Sequence, residues 1–315
     1  MPWSTEPKVV ALGGGHGLAA SLTALRGFTT DLTAVVTVAD NGGSSGRLRE
    51  EFGVLPPGDL RMALAALCGD DRWGQTWARV LQHRFESEGE MHGHSMGNLL
   101  IVTLWELLHD HVDGLDWVAG LLGARGRVLP MALTPLDITA EVRGGGGDPE
   151  AVTVVRGQVE VATTPGEVLS VSLDPADAEA CPEALAAIEE ADWVVIGPGS
   201  WYSSVLPHLL VPGLRDALCR TSAGVVVSMN LEANTEETRG LDLAGHLGVL
   251  RRHAPELRVH TVLVDAAAAD ENADLEEAAA TLGARLAVVD LASDEPGVHD
   301  AHKLGAAYAG LMGAN

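Results

Sequence analysis

Apolar residues along this chain fall into six short, unbroken runs: KVVALGGG, DLTAVVTVAD, ADWVVIGPGS, SAGVVVSMN, LRVHTVLVD and ARLAVVD. Each is too short for a typical helix and shows no polar face, the pattern of strands buried on both sides of a parallel sheet. Between most of them apolar positions recur at helical spacing, beginning with HGLAASLTALRG. Buried strands alternating with helices predict an α/β fold, a Rossmann-like doubly wound and mostly parallel sheet. The stretch 58–124 reads as mostly helical, with apolar residues at helix spacing in DLRMALAALC and SMGNLLIVTLWELL, and the alanine-rich stretch around 266–280 reads as helix too.

Between 128 and 173 the period changes. ITAEVR, AVTVVRGQVEVA and EVLSVSLD alternate apolar and polar residues, interrupted by GGGGDPE. This predicts a small antiparallel β lobe inserted in a single α/β domain spanning 1–315, with a loose glycine loop at 144–147.

Composition narrows the function classes. With 46% apolar residues the chain can bury a large core, and no run approaches the roughly 18 apolar residues of a membrane span. MPWSTEPKVV lacks the basic stretch and apolar run of a secretory signal. Cys68, Cys181 and Cys219 are scattered, which suits a reducing compartment and predicts a cytoplasmic protein without a disulfide framework. A formal charge of −24 argues against nucleic acid or an anionic membrane as a partner. An anionic ligand therefore has to be captured by local donors.

Such donors cluster where strands end. In ALGGGHGLAAS, Gly13, Gly14, Gly15, His16 and Gly17 follow one strand and open a helix, with a GxGxxA pattern from Gly15. Glycines there let a phosphate approach free N–H groups and the positive end of the helix dipole. Asp40 ends the next strand, where a dinucleotide fold places its ribose-binding acid, so an NAD-dependent oxidoreductase is the first reading. No catalytic His/Arg/Asp set or Ser–Tyr–Lys motif supports it, and Lys8 and Lys303 are the only lysines. After Asp40, Asn41, Gly42, Gly43, Ser44, Ser45 and Gly46 form a second nest of amides and hydroxyls, followed by Arg47 and Arg49. Arg47 is the expected bidentate phosphate clamp.

LPPGDLR offers Asp59, either a helix cap or a ligand, and Arg61. Asp40 with Asp59 is the one carboxylate pair suited to magnesium. GHSMGNLL supplies His94 and Asn98 as polar ligand contacts and Ser95 as a cap, and the spacing of His92 and His94 alone is weak evidence for a metal. GPGSWYSS trails another strand, with Gly197, Gly199, Ser200 and Tyr202 suited to phosphate or ribose. MNLEANTEETRG trails yet another, with Asn230, Asn234, Glu237 and Thr238. Loops at neighbouring strand ends share one crevice in an open α/β sheet.

GGGHGL, TVADNGGSSGRLR, LPPGDLR, GHSMGNLL, GPGSWYSSVLPHLLVPG and the N–x6–E–T loop, in this order, resemble the gluconeogenesis-factor family (YvcK), relatives of the F420-pathway phospholactyl transferase (CofD). The resemblance runs from about Lys8 to Lys303. It implies a CofD-like body that binds a UDP-sugar such as UDP-N-acetylglucosamine, and a regulatory role in central metabolism, cell shape and wall supply. By motif, Gly13 to Gly17, Asp40 to Arg47, Gly197 to Ser200 and the loop from Asn230 to Thr238 would line the crevice. The chain departs from common family residues at His16 (often Thr), Asn41 (often Asp), Glu236 (often Gly) and Val298 (often Arg). The expected partners are a UDP-sugar or another nucleotide diphosphate, and a second copy of the chain as a homodimer. The alternative is a magnesium-dependent phospholactyl transferase using a GDP-linked donor.

Overall fold

The computed structural model describes residues 6–314 apart from 146, 147, 234 and 236. Asn234, Glu236 and half of the expected glycine loop thus lie outside the described residues. Ten strands follow in chain order: β1 (Val9–Gly13), β2 (Leu32–Val36), β3 (Arg127–Pro130), β4 (Asp137–Arg143), β5 (Val152–Arg156), β6 (Glu167–Asp174), β7 (Trp193–Ile196), β8 (Gly224–Ser228), β9 (Thr261–Asp265) and β10 (Arg285–Val289). Seven of them build one sheet in the order β10-β9-β8-β7-β1-β2-β3, with every pairing parallel. Helices cover both faces, which is why β1 and β9 are buried at every position and their sequences carry no polar alternation.

The chain winds outward from β1 through β2 to β3, then returns to β7 on the other side of β1 and winds outward again to β10. The direction of winding therefore reverses between β1 and β7. Connections leaving these two strands diverge, and a crevice opens at the carboxyl edge between them. Helix Gly15–Leu25 packs against helices Gly58–Ala66 and Ala301–Met312. Behind the crevice, the Tyr308 hydroxyl lies 2.9 Å from Ser21 Oγ, which donates to the Gly197 carbonyl at 3.0 Å. That buried relay ties the C-terminal helix to the loop after β7.

The inserted lobe is a three-stranded antiparallel sheet in the order β5-β4-β6. Two details differ from expectation. RVLP, taken with the lobe from residue 128, is the edge strand of the large sheet, because Val128 and Leu129 pair in parallel with Ala34 and Val35. The lobe sheet accordingly spans β4 to β6. Within AVTVVRGQVEVA the alternation stops at Arg156, and Gln158–Ala162 is a short helix. Gly157, at φ +109, makes that reversal in a conformation that a side chain would strain. Among the described residues no helix is long and apolar enough to cross a membrane.

Candidate functional site

Strand register decides what meets at the carboxyl edge. Gly13 pairs with Val36, Leu12 with Ile196, and Ile196 with Val227. β1, β2, β7 and β8 therefore release their chains at one level of the sheet. The loops after β1, β7 and β8 border a cavity of about 470 Å³ lined by His16, Gly17, Ser200, Asn230, Glu232 and His299, among others. Ala162 of the lobe helix and Val298 also line it.

The loops after β1 and β7 touch through their backbones. A methyl group on Gly17 would overlap the Pro198 carbonyl and come within 2.6 Å of Gly199 Cα. The second glycine of the Gly15-x-Gly17 pair thus permits a loop–loop contact as well as exposing amides. Gly14 caps helix Gly15–Leu25 without a side-chain hydrogen bond, and no acid sits in the first turn. The positive end of the helix dipole faces the Asp59 carboxyl, which accepts from the Gly15 amide. Asn230 clamps the β7 loop reciprocally: its Oδ1 accepts from Gly199 N at 2.8 Å and its Nδ2 donates to the Gly199 carbonyl at 2.9 Å.

Asp40 and Asp59 stand beside this wall. Asp40 Oδ1 accepts from Gly42 N at 2.8 Å. Asp59 lies in the first turn of helix Gly58–Ala66, whose N-cap is Pro57, so it is not the cap. Its Oδ2 is sealed from solvent, lacks a partner among the described residues, and fills the space over Gly14 where a side chain would sit. Burial, then repulsion from Asp40, pushes the Asp59 pKa up to about 7 against the pull of the Gly15 amide and Arg61. No group of three or more His, Cys, Asp or Glu converges among the described residues, so His92 and His94 complete no metal cluster.

Several residues expected to bind ligand are engaged by the protein itself. Arg61 Nε donates to Asn98 Oδ1 at 2.9 Å, and Asn98 Nδ2 donates to Ser44 Oγ at 3.1 Å. Ser44 Oγ sits 3.1 Å from His94 Nδ1 and also accepts from Ser95 N at 3.3 Å. Burial and nearby Arg47 lower the His94 pKa, so the ring is neutral and its Nδ1 can accept a hydrogen bond from the Ser44 hydroxyl. Burial likewise lowers the Arg61 guanidinium to about 10, still charged at neutral pH. Ser95 Oγ donates to the Leu81 carbonyl instead of capping its helix. Ser45 is buried against Gly58. Asn98→Leu should destabilise the fold by about 2 kcal/mol in urea unfolding, because Arg61 Nε and Ser44 lose partners in a buried network.

Arg47, the expected clamp, donates to the Glu90 and His92 carbonyls at 3.0 and 2.8 Å. Arg49 donates to the Leu136 carbonyl and pairs with Asp137 at 2.7 Å, holding the lobe. Asn41 holds it too: Nδ2 donates to Glu160 at 2.8 Å and Oδ1 accepts from Val159 N at 3.1 Å. Glu237 caps the π-helical turn Trp201–Val205, accepting from Tyr202 N at 3.2 Å; burial raises its pKa, opposed by hydrogen bonds from Ser203 and neighbouring amides. Thr238 Oγ1 donates to the Ala233 carbonyl at 2.7 Å and shapes its own loop.

The motif segments Gly197 to Ser200 and Asn230 to Thr238 take in Pro198 and Glu232, whereas Gly297 and Ala162 carry no motif signal. Val298, with its neighbour His299, is signalled through the departure from Arg. Val298 is 42% exposed on the crevice wall, and His299, its pKa lowered by burial, has a buried Nε2 without a partner among the described residues.

Comparison with known proteins places the arrangement among relatives. A family model described as "2-phospho-L-lactate transferase CofD" matches residues 9–304. A Mycobacterium tuberculosis protein called "Putative gluconeogenesis factor" is 50% identical over 306 residues, covering 96% of this chain and 90% of that one. A "Gluconeogenesis factor" from Halalkalibacterium halodurans is 38% identical over 259 residues, covering 82% and 77%. The crystal structure of a UPF0052 family member from Bacillus halodurans superposes with a TM-score of 0.85 at 33% identity, covering 96% of this chain and 98% of that one.

Proposed function

The chain belongs to the CofD family, and from that premise we propose that it binds a nucleotide diphosphate sugar of the UDP-N-acetylglucosamine type between β1 and β7 and acts as a regulatory protein. The role on this reading lies in the cytoplasm, linking central carbon metabolism to cell shape and wall supply, in keeping with relatives that carry the name gluconeogenesis factor. One observation carries it: the glycine loops after β1 and β7 meet backbone to backbone at the point where the winding reverses, beside a helix N-terminus whose cap residue, Gly14, brings no side chain of its own. Doubly wound folds bind nucleotides there.

Arg47 and Arg49 are held by backbone carbonyls and Asp137, so phosphate charge falls to amides and a cation. Magnesium fits Asp40 and Asp59: Asp59 Oδ2 is buried without a partner among the described residues, and the repulsion between the two acids would be relieved by a divalent ion. With one or two carboxylates as its protein ligands, magnesium takes phosphate oxygens and water as the rest, and it would neutralise the diphosphate there.

Calorimetric titration with UDP-N-acetylglucosamine tests the reading. Binding should weaken about tenfold when magnesium is removed, and by a similar factor in Asn230→Ala, whose β7 loop loses two hydrogen bonds. Absence of binding by the unaltered protein at millimolar UDP-sugar would overturn it. The same unpartnered Asp59 oxygen favours a second reading, a magnesium-assisted phospholactyl transferase. Magnesium-dependent release of GMP from a GDP-linked phospholactate donor would select that reading instead.

A further inference from the structure

A second cavity, of about 360 Å³, is lined by β6 residues Glu167 to Leu169 and by the segment Glu237 to Leu241, and shares only Glu237 with the crevice lining. Arg239 and Arg252 line it, both exposed, and neither has an ion pair or hydrogen bond among the described residues. Tyr202 forms part of the same wall. Its side chain is 4% exposed, yet its hydroxyl has no hydrogen-bond partner among the described residues. Burial raises the phenol pKa, and the charges acting on it are Arg252, Glu237 and Glu167, all on this wall.

The lining sets two arginines against two glutamates in a chain of net charge −24. Glu167 is paired with Arg143 at 3.1 Å. Glu237 is buried, with one oxygen accepting from Tyr202 N and the other enclosed without a partner among the described residues. Two guanidiniums and one phenolic O–H therefore face the space without internal partners. Half-buried Val168, Leu169 and Leu241 supply an aliphatic wall.

We propose that this cavity is a second ligand site, separate from the crevice, for a small organic phosphate monoester. Arg239 and Arg252 take the phosphate dianion, the Tyr202 hydroxyl donates to a third oxygen, and the aliphatic wall covers the organic group. Three terminal oxygens and a double charge match three separate donors better than a carboxylate does, with its two oxygens and single charge. The site stands whatever occupies the crevice.

Calorimetry on the full chain with inorganic phosphate, phenyl phosphate and benzoate tests it. Phenyl phosphate is expected to bind about fivefold or more tightly than inorganic phosphate, through burial of its ring, and benzoate more weakly than phenyl phosphate. The double variant Arg239→Ala/Arg252→Ala should lose at least roughly tenfold in phenyl phosphate affinity. Tyr202→Phe removes only the hydroxyl and should lose about threefold to tenfold. Asn230→Ala, in the crevice, should leave phenyl phosphate affinity unchanged. Equal binding by the arginine variant, confirmed folded by circular dichroism, or loss of binding only in Asn230→Ala, would overturn the site. Equal affinity for benzoate would overturn the assignment to phosphate esters.

Discussion

Gly17→Ala should cost about 3 kcal/mol of stability and abolish nucleotide-sugar binding. Helix propensity alone predicts the opposite sign: alanine inside a helix is better than glycine by about 1 kcal/mol. The reversal comes from packing across the crevice. The added methyl would overlap the Pro198 carbonyl and lie 2.6 Å from Gly199 Cα, both backbone, so no side chain can swing aside. The opposing loop cannot retreat cheaply either, since Asn230 holds Gly199 through two hydrogen bonds. Gly15 is the internal control. It sits at φ +57 with nothing within 4 Å of an added methyl, so Gly15→Ala strains only the backbone, by about 1–2 kcal/mol. Urea unfolding of both variants, paired with UDP-N-acetylglucosamine titration, separates the two effects. A Gly17→Ala protein as stable as the parent would mean that the loops after β1 and β7 do not meet as described.

What was legible in the sequence follows from the reach of each signal. Continuous apolar runs report burial on both faces, so the parallel strands and their trailing polar loops could be read directly. A run says little about which sheet it joins. RVLP sits among alternating segments in sequence yet pairs with β2, a contact about ninety residues away. QVEVA alternates like a strand but follows Gly157, whose backbone turns the chain into a helix. Residue types also say what chemistry is available without saying what uses it. Arg47 looked like a phosphate clamp because it follows a glycine–serine nest, but the carbonyls of Glu90 and His92 reach it first. Asn41, where relatives often carry an acid, finds its partners Val159 and Glu160 across the lobe. Long-range pairing of this kind leaves no local pattern. The glycines were the better guide, because close backbone approach leaves few alternatives to glycine.

Asp59→Asn should stabilise the metal-free protein at pH 8 by about 2 kcal/mol and remove magnesium-dependent ligand binding. The Asp59 carboxyl titrates near pH 7 in the fold, against an ordinary value of 3.8, because it is buried and faces Asp40. Between these two values the folded chain retains a proton that the unfolded chain has released. Stability should therefore fall as pH rises from about 4 to 7, then level off. The asparagine variant lacks that decline, and its advantage should shrink to a few tenths of a kcal/mol at pH 4 and vanish below about pH 3, where the parent carboxyl is protonated in both states. Unfolding free energies across pH 4–8 read this directly, and a flat profile for the parent would refute it. Magnesium should bind the parent more tightly as pH rises through 7, since the ion displaces the Asp59 proton. A carboxylate kept only for structure would lose stability when replaced; one kept for a cation gains stability and loses its ligand, and that opposition of signs separates the two roles.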